Sequence, residues 1–456
     1  MYQETRTKFN MSKTFEASQR VAIHLDNSAD WLQLDKTLTQ LDKVIVPVPH
    51  FFTMGQIQHM INTAGVDTVV CENKAQPMWE AFGYKHVKDL EYGLIMKKNI
   101  QDYPVLPKNT HKITFTSGTT SEPKGVCLSL NHLQVVAHSL AQITAQFNVK
   151  KHMSILPLSV LLENIATHYA ADNAGIETIS PSLSTLGFSG SNQLDIGKLV
   201  NEIKQHQPDS LILMPQILKA LLVYIEQTET KLPFLKFIAV GGAVCSKSLL
   251  SKAHTLNLPV FEGYGISECG SVISLNTTSN SNNGVGKVLP HQQVKINADG
   301  EILTKGQLHC GYLGKESSDN EWYATGDIGK YDEDNNLHII GRKRNTIINS
   351  FGRNISPDWI EAEMLSLLSV NQVAIYGEAK PFLTAIVSSS QAQEGLQAEV
   401  DTLNKTLPDY AQIKRVVVSE VAFTIDNKMI TASGKIKHEQ IFNQHQSQLE
   451  NIYATA

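Results

Sequence analysis

The chain has 456 residues and a formal net charge of −5, length for two to four compact units at roughly 100–200 residues each. A hydrophobic fraction of 42% with 18% charged residues excludes general disorder, and the mildly acidic balance argues against a nucleic-acid partner, the one basic cluster Arg342-Lys343-Arg344 being too short for a phosphate stripe. No apolar run reaches the roughly 18 residues of a membrane helix, and Met1–Arg6 opens no apolar targeting stretch. Cys71, Cys127, Cys245, Cys269 and Cys310 include no Cys-x-x-Cys pair, so a cytoplasmic chain with reduced thiols and no transmembrane segment is expected.

Val44 to Val48 reads as a strand bounded by prolines. Thr53 is placed to cap a helix with Met54, Ile57, Met60, Ile61 and Ala64 on one face, and Gly65 to stop it. Val66 to Cys71 follows as a second strand, the βαβ signature of a parallel sheet. The alternation returns with a helix through Ile196, Leu199, Val200 and Ile203, broken by Pro208, and a strand Leu211–Met214. A helix over Gln216–Gln227, a strand Leu235–Val240, a helix after Ser246 and a strand near Leu258–Phe261 complete an α/β body. Between about Asn276 and Tyr331 glycine and asparagine become frequent, and short alternating runs such as Val294–Ile296 and Glu301–Leu303 predict a small β-rich subdomain. Beyond Arg344 an α+β unit is expected. There Ser356 and Pro357 open a helix that buries Ile360, Met364, Leu367 and Leu368, with strands Val373–Ile375 and Leu383–Val387 after it.

The stretch Ile113 to Val126 carries the most chemistry. Thr116, Ser117, Gly118, Thr119, Thr120 and Ser121 follow a short strand, so several hydroxyls and backbone N–H groups can turn toward one anion, and Lys124 adds a point charge. It is not a Walker loop, since Pro123 stands where that motif has glycine and Gly125 where it has Ser or Thr. On composition alone the stretch suits a flexible linker equally well.

Thr116 to Gly125 resembles the phosphate-binding signature of the adenylate-forming superfamily, the AMP-forming acyl-CoA synthetases and adenylation domains, with Ser121 in place of a common glycine. Further segments resemble that family's motifs in the same order: Gly241-Gly242-Ala243, Gly263-Tyr264-Gly265-Ile266-Ser267-Glu268, Thr325-Gly326-Asp327, Gly341-Arg342-Lys343-Arg344-Asn345, and Thr431-Ala432-Ser433-Gly434-Lys435. Gly-Gly-Ala alone suits any tight turn and Thr-Gly-Asp is common in turns; the ordered set is what carries the resemblance.

The resemblance implies an α/β fold, with a large N-terminal body of parallel βαβ sheets and a β-rich subdomain over residues 1–343, and a smaller mobile α+β domain over 344–456. It implies ATP, Mg²⁺ and CoA as reactants or cofactors. Thr116–Thr120 and Lys124 would meet phosphate, Gly241, Gly242, Ala243 and Tyr264 adenine, and Ser267 (in place of Thr) phosphate, with Gly263 and Gly265 also at the nucleotide. Glu268 would hold Mg²⁺, Asp327 the ribose hydroxyls, and Arg342 ribose or phosphate. Lys435, Glu268 and Thr116 would act in catalysis, and Arg344 falls at the hinge. The expected activity is conversion of a carboxylic acid to an acyl-AMP, then transfer to CoA; the alternatives are a ligase that loads an acyl carrier protein and a catalytically silent nucleotide-binding homologue. The Arg-Lys-Arg-Asn hinge is closest to the long-chain fatty-acid branch, which favours an apolar carboxylate. Val160 stands where relatives carry His, and the 112 residues ahead of Ile113 imply a shortened N-terminal region.

Overall fold

The computed structural model describes residues 13–116, 123–189, 193–277, 283–316, 321–431 and 434–454. Arg20–His24, Val44–Pro47 and Thr68–Cys71 form the parallel centre of a nine-stranded sheet. The two predicted strands are therefore not neighbours: each pairs with Arg20–His24, which lies between them. Local pattern did not reveal that strand because it opens on a buried arginine, whose guanidinium donates to the carbonyls of Ala64 (2.7 Å) and Pro104 (2.6 Å). The intervening helix Met54–Ala64 has the expected ends, a reciprocal capping box between Thr53 and Gln56 and Gly65 at φ 61°. Ile57, Met60, Ile61 and Ala64 enter the core, whereas Met54, in the first turn, is exposed.

On one side of the nine-stranded sheet Lys112–Thr116 joins Val44–Pro47 in parallel and pairs antiparallel with Lys124–Leu128. On the other side antiparallel strands extend the sheet from Thr68–Cys71. A seven-stranded sheet holds the second βα series: Lys151–Met153, Ser210–Leu213, Phe237–Val240 and Val260–Tyr264 run parallel. The helices Ile196–His206, Pro215–Thr228 and Lys247–Thr255 lie between them in sequence and bury Leu199, Leu221 and Leu250 in one apolar core with the strands.

The β-rich region divides among three sheets. Gln292–Ile296, Glu301–Gly306, Tyr323–Tyr331 and Leu337–Arg342 form the expected antiparallel sheet. Lys287–Val288 instead extends the second sheet, and Gly311–Tyr312 adds to the first sheet beside Lys124–Leu128. The C-terminal unit packs Val370–Tyr376, Leu383–Ser389 and Ile413–Val418 against the helices Pro357–Ser366 and Gln393–Asn404. Pro357 opens its helix, but Ser356 makes no side-chain cap. Ile360 and Met364 are buried, whereas Leu367 and Leu368 lie past the helix end, Leu368 exposed.

Candidate active site

The three sheets and the C-terminal unit surround one cavity of about 1890 Å³. Thr116 ends the strand Lys112–Thr116 and Lys124 begins the strand Lys124–Leu128, paired directly opposite, and both line the cavity. Ser117, Gly118, Thr119, Thr120 and Ser121, which connect them, lie outside the described residues, as do Ala432 and Ser433.

The second sheet contributes its carboxyl-terminal edge. Gly241, Gly242, Gly263, Tyr264, Gly265, Ser267 and Glu268 all face the cavity; Ala243 does not, and Val244 takes the lining position. Gly265 meets a steric requirement, because a Cβ there would lie 2.0 Å from the Ser271 carbonyl oxygen. That close approach folds Ser267–Cys269 into a single tight turn and presents Glu268 to the cavity.

Asp327 stands behind the wall, held from two sides. The Tyr264 hydroxyl donates to Oδ2 at 2.6 Å and Arg342 Nε donates to Oδ1 at 2.8 Å. Its own amide donates to Thr325 Oγ1 at 3.1 Å. Burial raises the Asp327 carboxyl above the usual carboxylate range, and Arg342 and Tyr264 oppose that shift. Each Asp327 oxygen has a lone pair left for a further donor. Arg342 also faces the cavity; its amide donates to Asp358 Oδ2 at 3.0 Å, which ties the end of the small sheet to the first turn of the Pro357–Ser366 helix.

Lys435 comes from the C-terminal unit. Its turn closes on itself, the Thr431 amide donating to the Lys435 carbonyl at 2.8 Å and the Lys435 amide to Thr431 Oγ1 at 3.0 Å. The side chain reaches the solvent of the cleft yet is ringed by protein. Desolvation lowers its pKa first, Arg342 and Arg344 lower it further, and Asp327 and Glu268 act the other way. Segments more than 300 residues apart, from Thr116 to Lys435, thus bring hydroxyl, carboxylate and cationic groups to one space.

Two contributors had no motif to reveal them. Tyr312 donates to Glu268 Oε1 at 2.6 Å, and Asp358 braces Arg342 and accepts from Asn345 Nδ2 at 3.1 Å. Val160 lines the cavity as an apolar residue at the start of a helical segment that passes into a π-turn over Ile165–Ala170. In the segment that follows, Leu161 and Ile165 are core residues. Glu163 and Asn164 are instead buried polar groups, Glu163 accepting from the Leu156 amide at 3.0 Å and Asn164 accepting from Lys112 Nζ at 2.6 Å.

A family model described as AMP-binding enzyme matches residues 12–313, more than half of the chain. The chain belongs to the AMP-binding enzyme family. The model of the AMP-binding enzyme C-terminal domain matches residues 344–456. Among curated AMP-binding relatives, the chain is 29% identical over 246 residues to long-chain-fatty-acid–CoA ligase FadD15 of Mycobacterium bovis, a match spanning 47% of this chain and 41% of that protein. It is 22% identical over 559 residues to long-chain-fatty-acid–CoA ligase 6 of Rattus norvegicus, spanning 96% of this chain and 78% of that protein. Among solved structures, o-succinylbenzoate coenzyme A synthetase (MenE) from Bacillus subtilis in complex with ATP and magnesium ion superposes with a TM-score of 0.74 at 21% identity, covering 94% of this chain and 90% of that one. The anthranilate CoA ligase AuaEII in complex with anthranoyl-AMP gives 0.77 at 15% identity, covering 96% and 90%. At these identities the likeness is one of fold: the α/β architecture of adenylate-forming enzymes, a large N-terminal part with a smaller C-terminal one.

Proposed function

We propose that this chain is an AMP-forming carboxylate–CoA ligase acting on a fatty or other apolar carboxylic acid. The observation that carries the reading is the convergence of Thr116, Lys124, Glu268, Arg342 and Lys435 on one cavity, with Asp327 held just behind its wall. A carboxylate is a poor acyl donor because its leaving group would be oxide. Attack of the carboxylate on the α-phosphorus of ATP gives an acyl-AMP and pyrophosphate, and the nucleophile is already anionic at pH 7. The protein's work is therefore placement and charge neutralisation. Thr116 and Lys124 anchor phosphate, Tyr264 and Asp327 orient the nucleoside, Arg342 braces Asp327, and Lys435 stands between substrate carboxylate and α-phosphate. Glu268 fits a magnesium site, because a single carboxylate facing the cavity suits a hard cation that keeps water and phosphate oxygens. Bound there, Mg²⁺ would neutralise phosphate charge.

Support for an apolar acid comes from the apolar residues Val160, Leu162, Ala166, Ala170 and Ile176 in the cavity lining. Support for CoA as acceptor comes from the relatives' names. We further propose the boundary near 343/344, with Arg344 at a hinge that withdraws Lys435 after adenylation so that the thiol can enter. The test is ATP–pyrophosphate exchange across fatty, aryl and amino acids, followed by mass analysis of products formed with CoA. Exchange dependent on an apolar acid, with its CoA thioester as product, is expected. Exchange with none of them, in protein that binds ATP, overturns the reading, and a product formed only with a carrier protein overturns the choice of CoA.

A further inference from the structure

Three sheets meet at the Glu268 carboxylate. Gly311–Tyr312 pairs with Lys124–Leu128, the returning strand of the proposed phosphate hairpin, Tyr312 opposite Val126, so the Tyr312 backbone belongs to the first sheet. The next residue clamps it there: the Leu313 amide donates to the Gly125 carbonyl at 2.9 Å, and a Cβ on Gly125 would lie 2.4 Å from Leu313 Cδ1. Glu268 sits on the turn that leaves the second sheet, and Tyr323 begins the long strand of the small antiparallel sheet. Side chains close the gap. The Tyr312 hydroxyl donates to Glu268 Oε1 at 2.6 Å, and the Tyr312 and Tyr323 hydroxyls are 2.9 Å apart. Tyr312 has one proton and spends it on the carboxylate, so Tyr323 is the donor in the second bond. The backbone repeats the tie, the His309 amide donating to the Glu268 carbonyl at 2.7 Å.

The chain Tyr323 to Tyr312 to Glu268 polarises toward the carboxylate, each bond strengthening the next. It engages Oε1 only; among the described residues no donor reaches Oε2. The Tyr312 backbone rides on the strand that carries Lys124, so its hydroxyl sets the carboxylate relative to the phosphate hairpin. We infer that Tyr312, steadied by Tyr323, is a positioning residue that holds Glu268 in register with the phosphate hairpin, presenting one carboxylate oxygen for the metal of the metal–nucleotide complex. The inference rests on Glu268 as the metal carboxylate proposed above. Without the hydroxyl the carboxylate can rotate, and binding of the metal suffers while the acyl-transfer half-reaction, which uses no ATP, does not.

The experiment measures Mn²⁺ binding to the enzyme–ATP complex by electron paramagnetic resonance, beside transfer from a supplied acyl-AMP to CoA. Tyr312→Phe is expected to weaken Mn²⁺ binding about 10-fold, the scale of outer-shell partners of metal ligands. Transfer should stay within about 2-fold, which also reports that the variant is folded. Tyr323→Phe should act in the same direction by about 3-fold, and the double variant should be no weaker than Tyr312→Phe, because Tyr323 works through Tyr312. Unchanged Mn²⁺ binding in Tyr312→Phe, strictly additive effects, or equal loss of metal binding and transfer overturns the inference. Glu268→Gln separates the two claims. If it leaves Mn²⁺ binding intact, the metal reading of Glu268 falls and the positioning claim with it; if it weakens binding while Tyr312→Phe does not, only the positioning claim falls.

Discussion

Lys112 and Lys435 both stand near carboxylates, one in the body and one from the C-terminal unit, and they are held in opposite ways. Lys112, four residues ahead of Thr116, is fully buried, with Asp35 Oδ2 at 2.7 Å, Asn164 Oδ1 at 2.6 Å and the Tyr169 ring 4.9 Å from its ammonium. Those partners come from the Ala29–Gln40 helix and from the segment leading into the π-turn, so one ion pair joins the strand Lys112–Thr116 to the helix of the first sheet and to the cavity wall. Lys435 hangs from a turn, reaches a solvent-filled cleft, and belongs to a unit clasped to the body by polar contacts. Lys219 Nζ donates to the carbonyls of Leu367 (2.7 Å) and Val370 (3.1 Å), and Glu363 accepts from the Lys247 amide (3.0 Å) and Ser248 Oγ (2.9 Å). A typical single hydrogen bond contributes only about 0.5–1.5 kcal/mol. The contrast separates a charge locked into the body from one that the proposed mechanism withdraws.

Removing the withdrawn charge should give the largest effect. Lys435→Ala is expected to lower pyrophosphate exchange by about 10³-fold, the scale of one lost oxyanion-type donor, while transfer from supplied acyl-AMP to CoA stays within a few-fold. Equal loss of both half-reactions would erase the distinction between the two lysines. Breaking the locked charge should instead cost stability. Asp35→Ala leaves the Lys112 ammonium buried without its counter-ion and is expected to destabilise the body by about 3–5 kcal/mol, read by denaturant unfolding. An Asp35→Leu/Lys112→Met double variant should recover much of that loss.

The clasps should respond to pH. Burial pushes the Lys219 ammonium down to about 8 from its ordinary 10.5. Between those values the undocked unit leaves Lys219 protonated while the docked unit holds it neutral, so docking binds fewer protons and tightens as pH rises through that window. Inter-unit distances from a spin-label pair should show a larger docked fraction at high pH than at pH 7, and Lys219→Met should flatten the dependence; a docked fraction that falls with pH contradicts the assignment. The smallest effect is expected from Glu363→Gln, a shift of about 2-fold in the ratio of exchange to transfer rates, since the amide still accepts one hydrogen bond. No change in that ratio would mean that this clasp does not bias the unit's position.

Much of the fold was legible where local chemistry and tertiary structure agree. Thr53, Gln56 and Gly65 delimit their helix by cap geometry, and the βα alternation from Ile196 to Tyr264 repeats the pattern of a sheet covered on both faces. What local pattern could not carry is pairing at a distance. Nothing in Arg20–His24 announces a central strand, because its first residue is a charge satisfied by carbonyls that arrive from elsewhere. Gly311–Tyr312 reads as part of a β-rich stretch, and only the folded chain brings it to the strand Lys124–Leu128. The same division runs through the site. Thr116, Lys124, Glu268, Asp327, Arg342 and Lys435 each sit in a short motif. Tyr312 reaches Glu268 from another sheet and Asp358 reaches the Arg342 amide from a helix, and Ala243 shares a motif without sharing the cavity. Met54 and Leu368 fit an apolar periodicity yet lie at helix ends, where the buried stripe has already run out.

The central claim is that the α-phosphorus of ATP is the point of attack. Phosphorus NMR of a reaction containing ATP, Mg²⁺, CoA and an apolar carboxylic acid tests it directly. AMP and pyrophosphate appearing in equal amounts with the thioester is the predicted result. ADP and inorganic phosphate as the products that track the thioester would contradict it.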